Sequence, residues 1–151
     1  MKETVREVAP LYTTRSRPLM VHLNVGPSRK KVKVCIDTVE GRSVARHSFV
    51  RRLGLTVERQ EGHFMRVANN RLVGVVGTCK MGIWIEGKEV ELEVWVVEEL
   101  SKDLLLGKLQ LHQLGCELKF NSGLTEVKLG GKIIAKKTEG INPNQLVFGR
   151  Q

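Results

Sequence analysis

An aspartate at the end of an apolar strand pattern is the first candidate for chemistry in this sequence. Residues 32–36 alternate aliphatic side chains with Lys33 and Cys35, as in a half-buried β-strand. Asp37 and Thr38 follow directly. A carboxylate at the mouth of a strand is costly unless it is solvated, hydrogen-bonded or used in chemistry. The position therefore marks Asp37 as a candidate catalytic or binding residue.

The residues after Asp37 predict a short amphipathic helix. Ser43 is a suitable N-cap, and Gly54 is typical of the position just past a helix end. Three apolar residues recur between them at four-residue spacing: Ala45, Phe49 and Leu53. We therefore expect a helix over residues 44–53. Asp37 would then be held between two regular elements, the strand before it and this helix.

Two β-hairpins are predicted in the middle of the chain. Residues 64–68 and 72–76 have strand-like patterns and flank Asn69 and Asn70, which tolerate positive φ and commonly form turns. The small and polar residues at this tip indicate a mobile, projecting loop. The second hairpin joins residues 79–86 to residues 88–97. Its second arm alternates acidic with apolar residues, which is typical of a sheet with one solvated face.

The rest of the chain predicts a mainly β protein with one or two short helices. Further strand patterns occupy residues 19–25, 104–107, 116–120, 124–129 and 132–135. Residues 108–114 have Leu111 and Leu114 at helical spacing and predict a second helix. A unit of apolar strand, tight loop and short helix ending in Leu-Gly occurs twice, over residues 32–54 and 104–115, which indicates an internal duplication.

Length and cysteine use predict one non-secreted domain. At 151 residues the chain is long enough for a single hydrophobic core. We expect a flexible leader over residues 1–18, the domain over 19–135, and a tail or linker over 136–151. The sequence lacks an apolar signal segment and a membrane-spanning run. Its three cysteines form no C-x-x-C pair, which favours a cytoplasmic protein with reduced thiols, no metal and no membrane contact.

The formal net charge of +9 would favour contact with polyanions. The basic residues are, however, scattered through strands, turns and the tail. Only two Trp, one Tyr and four Phe are available for stacking on bases. No nucleic-acid-binding motif accompanies the charge. Nucleic acid therefore stays open as a partner through the basic surface, but the sequence does not favour it.

In their order and spacing, these segments resemble the retropepsins, the aspartic proteases of retroviruses, of Ty3/gypsy retroelements and of the DNA-damage-inducible proteins. Residues 35–38 (CIDT) are similar to the family signature of two hydrophobic residues followed by Asp-Thr/Ser-Gly. Residues 52–55 (RLGL) are similar to the end of the helix that follows it. Residues 104–107 (LLLG) resemble the Ile/Leu-Leu-Gly before the family's C-terminal helix. The resemblance extends over about residues 19–130.

This resemblance implies a closed β-barrel domain, with a flap hairpin, that forms half of an enzyme. Two identical chains would meet on a two-fold axis, each contributing one Asp37 to a shared pair of carboxylates. The charged carboxylate would take a proton from a water, which attacks the scissile carbonyl of a peptide or polyprotein substrate, and no cofactor takes part. Thr38 would hydrogen-bond across the dimer and brace both loops.

The resemblance also implies where substrate would bind. Val39 follows the catalytic Asp37 and Thr38, and the hairpin around Ala68, Asn69 and Asn70 would cover the substrate as a flap. The implied activity is that of an aspartic-type endopeptidase.

Three residues depart from the family pattern. Val39 replaces the glycine after Asp-Thr, where a β-branched residue adds bulk at the dimer axis and disfavours positive φ. Glu40 replaces the small residue that follows and adds an acid beside the pair. Leu109 stands where Asp or Asn is usual, so that a polar connection between helix and loop is expected to be lost. Two functions therefore stay open: an active endopeptidase, and a catalytically weakened or inactive dimerisation or peptide-binding module.

Overall fold

Alternating apolar residues fold into β-strands through most of the chain. The computed structural model describes residues 18–66 and 70–138, and strands predominate there, as the sequence predicts. The expected leader up to residue 17 and the tail from residue 139 lie outside the described residues, and so do Ala68 and Asn69.

One sheet contains eight strands and curls into a closed barrel. Its strands are β1 (Leu19–Val25), β2 (Lys30–Ile36), β3 (Val44–Arg46), β4 (Glu58–Arg59), β5 (Phe64–Arg66), β6 (Leu72–Ile85), β7 (Lys88–Val97) and β8 (Leu104–Leu106). Around the barrel the neighbours are β1, β2, β8, β3, β7 and β6, and a second pairing of β1 with β6 closes this ring of six. β4 and β5 pair with β6 outside the ring. The predicted closed barrel is confirmed.

The barrel interior is filled by aliphatic side chains from alternate strand positions. Val21, Leu23 and Val25 of β1 are at most 5% exposed, whereas His22 and Asn24 between them face solvent. The larger fully buried side chains come from both helical and strand segments: Phe49, Met81, Ile83, Leu92, Leu104 and Leu106. Each contributes about 1.5–3 kcal/mol by leaving water. This core makes the barrel a rigid support for the loops at its ends.

β3 occupies the first turn of the predicted helix, so the predicted helix start at Val44 is wrong. β3 lies between β7 and β8 and pairs with both. Val44 and Ala45 are fully buried there, and the packing of this sheet outweighs the local helical pattern. The helix α1 (His47–Arg52) begins after β3 and has no side-chain cap. Ser43 therefore does not cap a helix.

β6 is one long strand, where two were predicted over residues 72–76 and 79–86. Its register against β7 shifts between Val75 and Gly77, as at a β-bulge. A side chain at position 77 would lie 2.0 Å from the carbonyl oxygen of Glu58 on β4. Gly77 is therefore the residue that lets β4 pair closely with β6.

The second helix, α2 (Lys108–Gln113), follows β8 through Gly107, as predicted. A separate antiparallel sheet comes after it, in the order β11–β10–β9, built from β9 (Glu117–Asn121), β10 (Leu124–Leu129) and β11 (Lys132–Thr138). β11 continues beyond the expected domain end at residue 135. Both described helices have six residues, and neither is long and apolar enough to cross a membrane.

β8 brings two distant parts of the chain to the same end of the barrel. It lies between β2 and β3, parallel to β2 with Ile36 opposite Leu106, and antiparallel to β3. The connection from β2 to β3, here called the 37–43 loop, therefore passes across the end of β8. This loop begins with Asp37.

Candidate active site

Asp37 is the first residue after β2, beside the end of β8. Its backbone N–H donates to the carbonyl oxygen of Leu106 at 2.9 Å, which extends the parallel pairing of the two strands. The residue is half-buried. The strand pair thus fixes the backbone of the acid and leaves its carboxylate within reach of solvent.

The Asp37 carboxylate is oriented by its own loop. Oδ1 accepts hydrogen bonds from the backbone N–H of Val39 at 3.0 Å and of Glu40 at 3.2 Å. In this local pattern an Asp side chain holds the turn that follows it. Among the described residues, Oδ2 has no hydrogen-bond partner. One oxygen therefore holds the loop, and the other accepts no hydrogen bond from the residues that the structure describes.

Thr38 and Val39 lie at the exposed tip of the 37–43 loop. Val39 is 81% exposed, and no described residue supplies a partner for the Thr38 hydroxyl. The described residues with positive φ do not include Val39, so replacing glycine by a β-branched residue causes no backbone strain here. What Val39 adds is apolar bulk at the surface of the single chain.

Glu40 lies close enough to Asp37 for the two charges to interact. Burial raises the pKa of the Glu40 carboxyl, the negative charge of Asp37 raises it further, and a backbone hydrogen bond at Gly41 opposes the rise. The pKa of the Cys35 thiol is also raised, first by burial and then by Asp37. The loop thus holds two acids, of which Glu40 keeps its proton to higher pH than usual. No cluster of three His, Cys, Asp or Glu side chains within the described ranges could hold a metal ion.

Ser43 anchors the far end of the 37–43 loop. Its hydroxyl accepts a hydrogen bond from the N–H of Gly107 at 2.9 Å, and its own N–H donates to Oε1 of Gln110 at 2.9 Å. Its carbonyl oxygen accepts from the N–H of Trp95 at 3.0 Å. Ser43 and Gln110 are buried, so these bonds are shielded from water. The network was not predicted from the sequence; the signal for it was Gln110, a polar residue beside the apolar face of the second helix.

Backbone hydrogen bonds also join the loop to the start of α2. The N–H groups of Lys108 and Leu109 donate to the carbonyl oxygens of Glu40 and Gly41, at 2.8 and 3.0 Å. The first N–H groups of a helix have no hydrogen-bond acceptor within the helix. Here the carbonyl oxygens of the loop are their acceptors. These backbone bonds connect the helix to the loop although Leu109 has no polar side chain. The Leu109 side chain itself is 52% exposed.

The predicted hairpin after residue 63 is present. β5 pairs with the start of β6 in antiparallel register. Asn70 has a φ of 61°, as expected of a turn residue, and its carbonyl oxygen accepts a hydrogen bond from Nη1 of Arg66 at 2.8 Å. Ala68 and Asn69 lie outside the described residues. A substrate-binding role for this tip stays a prediction.

Three solved structures similar to this chain are retropepsin-like proteases or domains. The retroviral protease-like domain of Ddi1 from Leishmania major has a TM-score of 0.60 and 17% identity, over 80% of this chain and 96% of its own. EIAV protease, in complex with the inhibitor HBY-793, has a TM-score of 0.56 and 17% identity, over 69% of this chain and 94% of its own. A retropepsin-like aspartic protease from Rickettsia conorii has a TM-score of 0.50 and 16% identity, over 68% and 84%.

The likeness lies in the fold rather than in the sequence. No family model matches the chain, and no curated protein matches it. At these low identities the structural similarity establishes the arrangement of strands and helices. The retropepsin-like barrel predicted from the sequence is therefore confirmed.

Proposed function

We propose that this chain is one half of a homodimeric aspartic endopeptidase in which Asp37 is the catalytic acid. The observation that carries the proposal is the placement of Asp37. It follows β2 at the end of a retropepsin-like barrel, with Oδ1 held by its own loop and Oδ2 without a partner among the described residues. The similarity to EIAV protease and to the Rickettsia aspartic protease supports the same chemistry.

A second copy of the chain would complete the site. Peptide hydrolysis of this kind uses two carboxylates that face each other. The sequence contains only one other aspartate, Asp103, and it is paired with Arg46. A copy related by a two-fold axis would supply its own Asp37 as the second carboxylate. The exposed Val39 and the Thr38 hydroxyl would then meet the partner subunit.

The chemistry follows from the closeness of two like charges. Because ionising both carboxylates is costly, the pair shares one proton. The ionised carboxylate accepts a proton from a water whose oxygen attacks the carbonyl carbon, while the protonated one donates to the carbonyl oxygen. Proton transfer to the amide nitrogen then lets the C–N bond break. The β5–β6 hairpin would cover an extended peptide during these steps.

Replacing Asp37 by Asn tests the proposal. Asn keeps an oxygen that can accept from the Val39 and Glu40 amides, but it cannot ionise. We expect cleavage of a peptide library between pH 4 and 7 to fall by about a hundredfold or more. Circular dichroism and sedimentation should show an unchanged fold and dimer. Glu61→Gln, a change at an exposed turn residue, should leave cleavage unaffected.

Two outcomes would overturn the endopeptidase proposal. One is cleavage by the Asp37→Asn chain at the wild-type rate. The other is a wild-type protein that stays strictly monomeric with substrate present, since the one aspartate of the chain besides Asp37 is Asp103, which pairs with Arg46.

A second function is favoured by the two residues that follow Thr38. Val39 places apolar bulk where two loops would meet, and Glu40 adds a half-buried acid beside Asp37. Both weaken the case for catalysis and leave the barrel intact. In this function the dimer binds extended peptides between loop and hairpin by strand addition but does not cleave them.

Val39→Gly distinguishes the two functions. If the bulk of Val39 blocks a competent site, cleavage rises in Val39→Gly. Since Val39 has no positive φ, Val39→Ala should give a similar rise. If both variants stay inactive while the wild type binds peptides, the binding module is the correct function.

A further inference from the structure

A groove of about 220 Å³ opens between the 37–43 loop and the β5–β6 hairpin. It is lined by Arg42, His63, Phe64, Met65, Val75 and Trp95. Arg42 belongs to the loop that starts at Asp37, whereas Phe64, Met65 and Val75 belong to the hairpin strands. A peptide held between loop and hairpin would therefore pass over this groove.

Arg42 is a cation without an acidic partner among the described residues. The carbon of its guanidinium lies 5.6 Å from the centre of the Trp95 ring, within reach of a cation–π interaction. No described carboxylate lies within 4 Å of Arg42. By contrast, Arg46 and Arg52 both pair with Asp103. The Arg42 side chain is exposed, so its N–H donors are available to a ligand.

The backbone that carries Arg42 is held firmly. Gly107 packs so closely against it that a Cβ on Gly107 would lie 2.5 Å from the Arg42 carbonyl oxygen. The next residue, Ser43, is buried and makes three hydrogen bonds. A guanidinium presented from a fixed backbone loses less freedom when it binds a carboxylate.

We propose that Arg42 is a specificity-determining residue that selects Asp or Glu at one position of the bound peptide. This rests on the proposed peptide site between loop and hairpin, but it holds whether or not the peptide is cleaved. A carboxylate entering the groove would accept paired N–H bonds from the guanidinium, in the geometry that Arg forms with acids. Its aliphatic carbons would pack against Phe64 and Met65. A lysine at that position would meet a like charge and be excluded.

A peptide scan tests the inference with two readouts. In a set of extended peptides, each position in turn carries Glu, Gln or Lys. Cleavage is measured with the wild type, and binding is measured by fluorescence anisotropy with the Asp37→Asn chain. At one position we expect Glu to be preferred over Gln by about fivefold at low salt, the range of a partly exposed ion pair. The preference should shrink as salt screens the charges.

Arg42 variants decide whether the groove causes the preference. Arg42→Gln should abolish it, and Arg42→Glu should favour Lys over Glu at the same position. Arg59→Glu makes the same change in net charge on the exposed strand β4 and should leave the preference unaltered. The inference is wrong if Arg42→Glu keeps the acidic preference, if Arg59→Glu removes it equally, or if no position distinguishes Glu from Gln.

The two readouts separate this inference from the endopeptidase proposal. Cleavage without any acidic preference overturns the role of Arg42 alone. Selective binding of acidic peptides without cleavage supports Arg42 and overturns the endopeptidase. The absence of both binding and cleavage overturns both.

Discussion

Two segments of the barrel lead from a strand into a helix, one from β2 to α1 and the other from β8 to α2. Their helix ends are similar, but the connections before the helices differ. Past α1 and α2, Gly54 and Gly115 take φ values of 73° and 64°, and the amide of the following residue returns to the last helical turn. The repeated Leu-Gly of the sequence is thus the same helix end used twice. Before α1, however, the chain forms the 37–43 loop and β3, whereas only Gly107 separates β8 from α2.

This difference separates the segment that holds the candidate site residues from the segment that supports it. The 37–43 loop presents Asp37 and Glu40 near the surface. The turn at Gly107 contains no acid, and it serves as a contact: its N–H donates to Ser43, and its Cα packs against the backbone of Arg42. Changes at the support should therefore destabilise the protein more than changes in the loop it carries.

Of the substitutions in these two segments, Gly107→Ala should lower the free energy of unfolding most. The added Cβ would lie 2.5 Å from the carbonyl oxygen and 2.6 Å from the carbonyl carbon of Arg42. Backbone atoms cannot move aside as a side chain does, so loop and support must separate. We expect the free energy of unfolding to fall by about 3 kcal/mol, as in other overpacked sites, measured by urea denaturation.

Gly41→Ala is the matched control for this prediction. Gly41 lies on the loop itself, where an added Cβ would have nothing within 4 Å, and its φ is not positive. It should change stability by less than about 0.5 kcal/mol. If Gly107→Ala and Gly41→Ala lower the free energy of unfolding equally, the turn at Gly107 does not support the 37–43 loop.

Ser43→Ala should have an intermediate effect. The change removes the oxygen that accepts the Gly107 N–H and leaves that donor buried without a partner. We expect a loss of about 1–2 kcal/mol in unfolding free energy. Ser48→Ala is the control, because Ser48 lies in α1 and no described residue bonds its hydroxyl. If both variants unfold at the same urea concentration, Ser43 does not hold the two segments together.

Strands whose buried residues recur at every second position could be predicted from the sequence. The strands at Leu19–Val25 and Leu124–Leu129 have the predicted bounds. In each, every second residue is buried: positions 21, 23 and 25 of the first and positions 125, 127 and 129 of the second. β3 could not be predicted, since Val44 and Ala45 fit a helical spacing equally well. They become a strand because β7 and β8, distant in the sequence, flank them.

The candidate site also contains features with a local sequence signal and features that depend on distant parts of the chain. Asp37 could be selected as a candidate from the sequence because it directly follows a strand pattern, which is a local signal. The environment of Arg42 could not, because Trp95 and Gly107 reach it only through the pairing of β3 with β7 and β8. Charge alone did not distinguish Arg42 from the many other basic residues of the chain.

Glu40→Gln should have the smallest effect on the free energy of unfolding, and only at pH values above the raised pKa of Glu40. The pKa of Glu40 in the folded chain is raised above its ordinary value of 4.5, so the folded state holds this proton more tightly than the unfolded state. The resulting stability is present below pH 4.5 and is lost as pH rises through the raised pKa. Gln cannot ionise and avoids that loss. Above the raised pKa, Glu40→Gln should therefore be more stable than the wild type by less than about 1 kcal/mol, because Glu40 is only partly shielded from solvent.

Chemical unfolding at pH 4 and pH 7 measures this difference, with Glu61→Gln at an exposed turn as the control. The Glu40→Gln chain and the wild type should nearly coincide at pH 4 and separate at pH 7, whereas Glu61→Gln should follow the wild type at both. A separation of the same size at both pH values would show that the charge of Glu40 does not act on the loop. The two acids of the 37–43 loop would then be independent, and Glu40 could not perturb a pair of Asp37 carboxylates.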